Sequence, residues 1–267
     1  MIKQKIKLSF AISLALFGCP RVQAKPVNPV LLVQSPTLNR SGQINESLIF
    51  AAAPPPPPDI GEPGQRSEAG SRGCEEMDKP LASSQKRLTA LVPVYSGSEL
   101  VLGATLAPAP IFWFYIPYQY QSPFPAKFVL RNKEGKLVYQ SDVTLPETPG
   151  VISLSIPRAV PPLEIGKRYR WFLKIYCKAQ EPPAFVEGWI QRNLLNPVLK
   201  SQLEKATPRD RVALYAANGI WFEALSTAAE LRRRDPKDTS WAALLRSVGL
   251  NDFVNEPILQ CCTLKTE

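Results

Sequence analysis

The chain has 267 residues, a formal charge of +9 and no histidine. Absence of histidine excludes Ser-His-Asp and Cys-His catalysis and removes the commonest general base and metal ligand. The basic residues are dispersed, with Arg232-Arg233-Arg234 the densest run, so the concentrated basic stripe of a nucleic-acid surface is missing and no nucleic-acid partner is expected.

The N-terminus carries Lys3, Lys5 and Lys7, an apolar run from Leu8 to Phe17, and then Val22-Gln23-Ala24. A basic segment, a short apolar segment and a small-x-Ala site describe a secretory signal peptide over residues 1–24, cleaved after Ala24. The apolar run is too short to span a bilayer as a mature helix. Leu16-Phe17-Gly18-Cys19 resembles a lipoprotein motif, though Phe17 is bulky for its place, and a lipid anchor at Cys19 is the alternative. Removing residues 1–24 takes away four basic residues and no acid, leaving 28 against 23, or +5. The expected location is the periplasm or cell envelope, with secretion or lipid anchoring as variants.

Residues 25–80 show no sustained period. Ala51–Ala53, the prolines 54–58 and the stretch Gly61–Gly73 cannot bury enough apolar surface to offset chain entropy, so a disordered Pro-rich linker is expected. The five prolines also suit docking to an aromatic groove.

From 81 to 192, short apolar runs are broken by Pro and Gly. Leu88–Tyr95, Ile111–Ile116, Ala126–Arg131, Leu137–Ser141, Val151–Ile156, Tyr169–Cys177 and Phe185–Arg192 read as strands. Asn132–Gly135 joins two of them as a hairpin. Leu163-Glu-Ile-Gly-Lys-Arg-Tyr169 resembles the tyrosine corner of fibronectin type III and related sandwiches. The fold class expected is an all-β immunoglobulin/fibronectin III-like sandwich followed by a small all-α domain, α+β overall.

Residues 193–250 turn helical. Asn196-Pro197 caps a first helix, Thr207-Pro208 a second that stops at Gly219, a third runs from about Ile220 to Arg234, and a fourth from about Asp238 to Gly249. The three arginines at the end of the third helix read as a solvated terminus. Ala213, Tyr215, Gly219, Ala224, Leu231 and Pro236 resemble one tetratricopeptide-repeat hairpin, and a single repeat must pack on a neighbour or a partner. Residues 251–267 form a tail.

Outside the signal, the cysteines are Cys74, Cys177, Cys261 and Cys262. Export favours disulfides, and Cys74 with Cys177 is the preferred structural pair. Cys261 and Cys262 have three open fates: a bond to another chain, a vicinal bridge, or free thiols. With neither a C-x-x-C pair nor histidine, no metal or cofactor is expected.

Residues 72–192 resemble the bacterial domain-of-unknown-function family 928. The resemblance rests on Arg72-Gly-Cys74, Leu88–Pro93, Phe112-Trp-Phe-Tyr-Ile-Pro-Tyr118, Pro149-Gly150, Pro162–Trp171, Cys177 and Val186–Arg192. The helical tail with Trp221-Phe-Glu-Ala224 is similar to the segment C-terminal to that domain in such proteins. The resemblance implies an exported protein and carries over no catalytic residue.

Three groups stand out as binding candidates. The run Phe112-Trp113-Phe114-Tyr115, followed by Tyr118 and Tyr120, places rings on both faces of its strand, one face core and the other a platform for sugars or a seat for the helices, with Trp113, Tyr115 and Tyr118 the candidates. Trp189 is a further ring for a ligand. Trp221 and Leu225 begin an apolar helical stripe, core by default and a groove for a partner if open. Glu187, an acid within an apolar strand, reads either as a raised-pKa acid or as half of an ion pair with Arg170 or Arg192. The function expected is a non-catalytic adaptor for envelope proteins. Binding of polysaccharide or another ligand is the alternative, and a carboxylate-based hydrolase comes last.

Overall fold

A computed structural model of the protein describes residues 50, 62–68, 86–95, 97–118, 124–146, 148–177, 180–262 and 264. The signal-peptide residues with Cys19 and Ala24, the five-proline run and Cys74 lie outside the described residues.

The strands are β1 (Thr89–Ala90), β2 (Val94–Tyr95), β3 (Leu100–Thr105), β4 (Ile111–Ile116), β5 (Ala126–Asn132), β6 (Leu137–Val143), β7 (Gly150–Ser155), β8 (Arg168–Ile175) and β9 (Ala184–Arg192). They form a three-stranded sheet in the order β1-β4-β7 and a six-stranded sheet in the order β2-β3-β9-β8-β5-β6. Every pairing is antiparallel except β3 with β9, which is parallel. The helices α1 (Pro197–Lys205), α2 (Pro208–Ala217), α3 (Trp221–Arg234) and α4 (Ser240–Ser247) come after the strands. The class is α+β with a β-rich core.

Local chemistry explains most boundaries. The Asn132 side chain accepts from the Lys136 N–H, and Gly135 takes the left-handed φ of 82° that the β5–β6 turn requires. Asn196 accepts from the Leu199 N–H and Thr207 from the Asp210 N–H, satisfying orphan donors at the starts of α1 and α2. Asp238 does not open α4 as a first helical residue. Its carboxylate accepts from the Ser240 N–H and from Arg209, so α4 begins at Ser240.

The run β3 escapes a period-based reading because all six of its residues are buried, which erases the alternation of a half-buried strand. Its glycine is a packing requirement. A β-carbon at Gly103 would lie 2.6 Å from the Phe222 ring.

The core is organised around β4. Phe112 and Phe114 point to the six-stranded sheet, with ring centroids 4.9 Å from Phe128 and 5.7 Å from Trp171 respectively. Trp113 and Tyr115 point to the other side, 5.8 Å from Trp241 and 5.0 Å from Phe253. Phe222 packs on Phe112, and the Trp221 indole N–H donates to the Leu91 carbonyl. Sheets and helices therefore share one apolar core.

Residues 62–68 fall in the stretch expected to be linker, yet they are built into the fold. Gln65 exchanges both backbone hydrogen bonds with Glu187, and Ser67 bridges Thr89. Phe50 meets Trp221 edge-on at 5.0 Å. Backbone pairing uses groups that every residue carries, so polar composition does not reveal it. At the other end, the Val151 N–H donates to the Pro257 carbonyl and the Leu259 N–H to the Val151 carbonyl, closing the β7 edge.

Because one core spans sheets and helices, Trp241→Ala is expected to lower stability by about 3–5 kcal/mol and to shift a single urea transition followed by both circular dichroism and tryptophan emission. Two separated transitions would show instead that the helices fold on their own core.

Candidate functional site

Strand β8 alternates strictly. Tyr169, Trp171, Leu173 and Ile175 are buried, while Arg168, Arg170, Phe172 and Lys174 are half-buried on the outer face. Register sets their neighbours: Arg170 lies between Arg131 and Trp189, Phe172 between Val129 and Glu187, and Lys174 between Lys127 and Phe185. Cations and rings are thus interleaved on the outer face of the six-stranded sheet.

Arg170 is the centre of this arrangement. Its Nε donates to Glu187 Oε2 at 2.9 Å, and its Nη2 reaches Glu187 at 2.8 Å and Glu62 at 2.5 Å. Its Cζ lies 5.2 Å from the Phe172 ring and 5.8 Å from the Trp189 ring, and Lys174 Nζ lies 5.3 Å from Phe172. Burial alone lowers the Arg170 pKa, but its hydrogen bonds to Glu187 and Glu62, and the charges of those carboxylates, outweigh it and raise the value. Glu187 is therefore the cross-strand ion-pair partner of Arg170. Arg192 turns elsewhere, to the Leu106 and Leu163 carbonyls.

The remaining candidate residues do not converge on a site. Trp113 is 2% exposed, its indole N–H donating to Ser226 Oγ at 3.0 Å. Tyr115 is covered by Phe253. Burial first, and then the charge and hydrogen bond of Glu256, push its phenol up to about 12. Tyr118 is buried and donates to Glu68 Oε2 at 2.5 Å. Trp189 is 5% exposed, packed with Leu100 and Leu102, and donates to the Glu62 carbonyl. Trp221 and Leu225 are fully buried.

Each of these rings, and the stripe of α3, faces another element of the fold rather than solvent. At the end of α3, Arg233 and Arg234 are exposed, Arg233 lying over the Trp113 ring, and Arg232 is half-buried over Trp241.

Glu223 is a buried acid absent from the sequence-based candidates. Its Oε1 accepts from Thr105 Oγ1 at 2.7 Å and from the Leu106 and Ala107 N–H groups, both at 2.8 Å. Its Oε2 is buried with no partner among the described residues. Burial outweighs these hydrogen bonds and raises its pKa from the ordinary carboxylate value. A signal for it exists in the sequence: an acid between Phe222 and Ala224, the pattern that marks Glu187 in β9.

A shallow recess on the β6 edge is lined by Leu137–Gln140 and Ala159–Pro161, without a carboxylate among them. Among the described residues no group of three or more His, Cys, Asp or Glu side chains is arranged to hold a metal ion, and no helix is long and apolar enough to cross a membrane. Cys261 and Cys262 are bonded to each other. Cys177, half-buried after β8, is disulfide-bonded.

A family model described as Domain of Unknown Function (DUF928) matches residues 67–258. No curated protein matches the sequence.

Glu223→Gln keeps the acceptor for all three donors and removes the buried charge, so it is expected to equal or exceed the wild type in stability at pH 8. Glu223→Ala removes the acceptor of Thr105 Oγ1 and of the Leu106 N–H, leaving Ala107 only its bond to Thr105 Oγ1, and is expected to cost about 2–4 kcal/mol. The native state binds the Glu223 proton more tightly than the unfolded chain. Wild-type stability relative to Glu223→Gln therefore rises as pH falls from 8 towards the unfolded carboxylate value of about 4.3. Denaturant titrations across this range check the sign.

Proposed function

The chain belongs to the DUF928 family, and from that premise we propose that it is an exported cell-envelope protein acting as a non-catalytic interaction module. Its working surface is the outer face of the six-stranded sheet, where Arg131, Arg170, Phe172 and Lys174 stand in register. The single observation that carries this reading is the fate of the other candidates. The aromatic strand and the helical stripe are used up inside the core, which leaves the interleaved cations and rings of β5 and β8 facing outwards.

Several features support the finer points. The basic, apolar and small-residue order of residues 1–24 supports export and cleavage after Ala24. The Tyr169 hydroxyl accepts from the Glu164 N–H at 3.0 Å, which supports a sandwich of the immunoglobulin or fibronectin III kind. The hairpin of α2 and α3 around Gly219 supports kinship with a single tetratricopeptide repeat, used here as a cover for β4 rather than as a groove. A disulfide at Cys177 supports its pairing with Cys74. The reading as a non-enzyme is supported by the bonding roles of the acids: Glu187 and Glu62 share one guanidinium, and Glu223 holds a loop. Polysaccharide binding through Trp113 or Tyr115 loses its basis with their burial.

Deleting the helices would strip the cover from β4, so point substitutions are the cleaner test. The double variant Arg131→Glu, Lys174→Glu reverses two charges on the outer face, where Arg131 is exposed and Lys174 half-buried. An envelope protein that co-purifies with tagged full-length protein is expected to fall about tenfold in recovery with this variant, a loss of about 1.4 kcal/mol in binding. The melting midpoint should stay within a few degrees of the wild type. Unchanged recovery with an intact fold would sink the surface assignment.

A further inference from the structure

We propose that Cys261–Cys262 is a redox-active site for a dithiol reductant, and that its oxidised form latches the C-terminal segment onto the edge of β7. The bridge joins sequence neighbours, whose Cα atoms the peptide bond itself holds 3.7 Å apart. Such a bond closes a small ring through the intervening peptide and dictates the backbone of both residues. Cys262 is held at a φ of 76°, a conformation that a side-chain-bearing residue rarely adopts unless its surroundings impose it. Both cysteines are half-buried and pack against the rim of the main core.

The position of the bridge gives it leverage. Upstream, the chain is pinned by Arg232, which donates to the Val254 and Glu256 carbonyls, and by the ion pair of Lys86 with Glu256. Just before the bridge, Pro257 and Leu259 make the two backbone hydrogen bonds to Val151 that close the β7 edge. Leu259 and the Pro257 carbonyl also fill the space beside Gly150 that a β-carbon would need. Just after it, Leu264 is 3% exposed and belongs to the main core. The turn at Cys262 therefore connects a two-bond strand contact to a buried leucine.

The chemistry balances without any group from the protein other than the two sulfurs. One thiolate of the reductant attacks Sγ of one cysteine, the Cys261–Cys262 bond breaks, and the other cysteine leaves as a thiolate and takes a proton. The second thiolate of the reductant attacks the mixed disulfide, releasing the first cysteine and forming the reductant's own disulfide. Two electrons and two protons arrive on the protein. The ring is then open, Cys262 relaxes to a negative φ, Leu264 leaves its seat, and the backbone groups of Val151 are freed.

Hydrogen exchange on the full chain tests the latch. Oxidised wild type and the double variant Cys261→Ser, Cys262→Ser are compared without reductant, so that the disulfide at Cys177 stays intact. Exchange at the Val151 and Leu259 amides is expected to be about tenfold faster in the variant, with Phe114 and Ile152 unchanged. Equal rates at Val151 and Leu259 overturn the latch. In a second arm, wild type is titrated with dithiothreitol and alkylated, and the labelled peptides are identified by mass. Labelling of Cys261 and Cys262 before Cys177 supports the redox site, and exchange measured at that concentration reads the latch without any substitution. Labelling of Cys177 first or together with them overturns the redox assignment.

Discussion

The structure depends on burying both faces of one aromatic strand. An edge or surface strand exposes half its side chains, but Phe112 to Ile116 leave almost nothing to solvent. Three consecutive large rings, Phe112, Trp113 and Phe114, would otherwise present an apolar patch of a size that soluble proteins rarely tolerate. Covering it on both sides demands a second sheet for Phe112 and Phe114 and a set of helices for Trp113 and Tyr115. The helices are thus the other half of the core. Their crossing over the sheet dictates small residues where they come closest: Gly103 under Phe222, and Ala224, Ala228 and Ala229 along α3.

Sheet edges are managed by non-regular chain. An unpaired edge offers free donors and acceptors to any passing strand. Residues 62–68 cover one such edge, pairing with Glu187 beside the point where β3 begins, and residues 257–259 cover another at β7. Both straps are anchored by charge as well as backbone: Glu62 to Arg170 at one end, Glu256 to Lys86 at the other. These ion pairs are partly exposed and contribute modestly to stability, but they set where each strap lies.

Legibility in the sequence depends on which forces leave a local trace. Capping is local, so Asn196, Thr207, Gly219 and Gly249 mark helix ends within a residue or two. Strand alternation is local where one face is wet, and β8 is legible for that reason. Burial on both faces removes the alternation, which hides β3. Straps made of Pro, Gly and polar residues carry no pattern, so residues 62–68 look like tether. For the site, the pairing of Glu187 with Arg170 is readable from an acid and a base on one sheet face. The fate of Trp113 is not. Whether its outer face meets solvent or Trp241 is a decision of tertiary packing, and both outcomes have the same strand sequence.

Buried polarity separates structural acids from available ones. Glu223 sits inside because three donors at the end of β3, the Thr105 hydroxyl and the Leu106 and Ala107 N–H groups, converge on one of its oxygens and offset part of the cost of burying a carboxylate. Arg170 solves the opposite problem on the outer face. A guanidinium between two rings loses hydration, and the carboxylates of Glu187 and Glu62 replace it. The rings then hold the cation at fixed depth, so the charge of this face is positioned by packing rather than by a free side chain. Lys174, held over Phe172, extends the same arrangement along β8. A surface whose cations are placed in this way loses less side-chain entropy on meeting a partner than one of freely rotating lysines. That is the physical reason the proposed interaction is assigned to this face rather than to the helices, whose apolar stripe packs into the core.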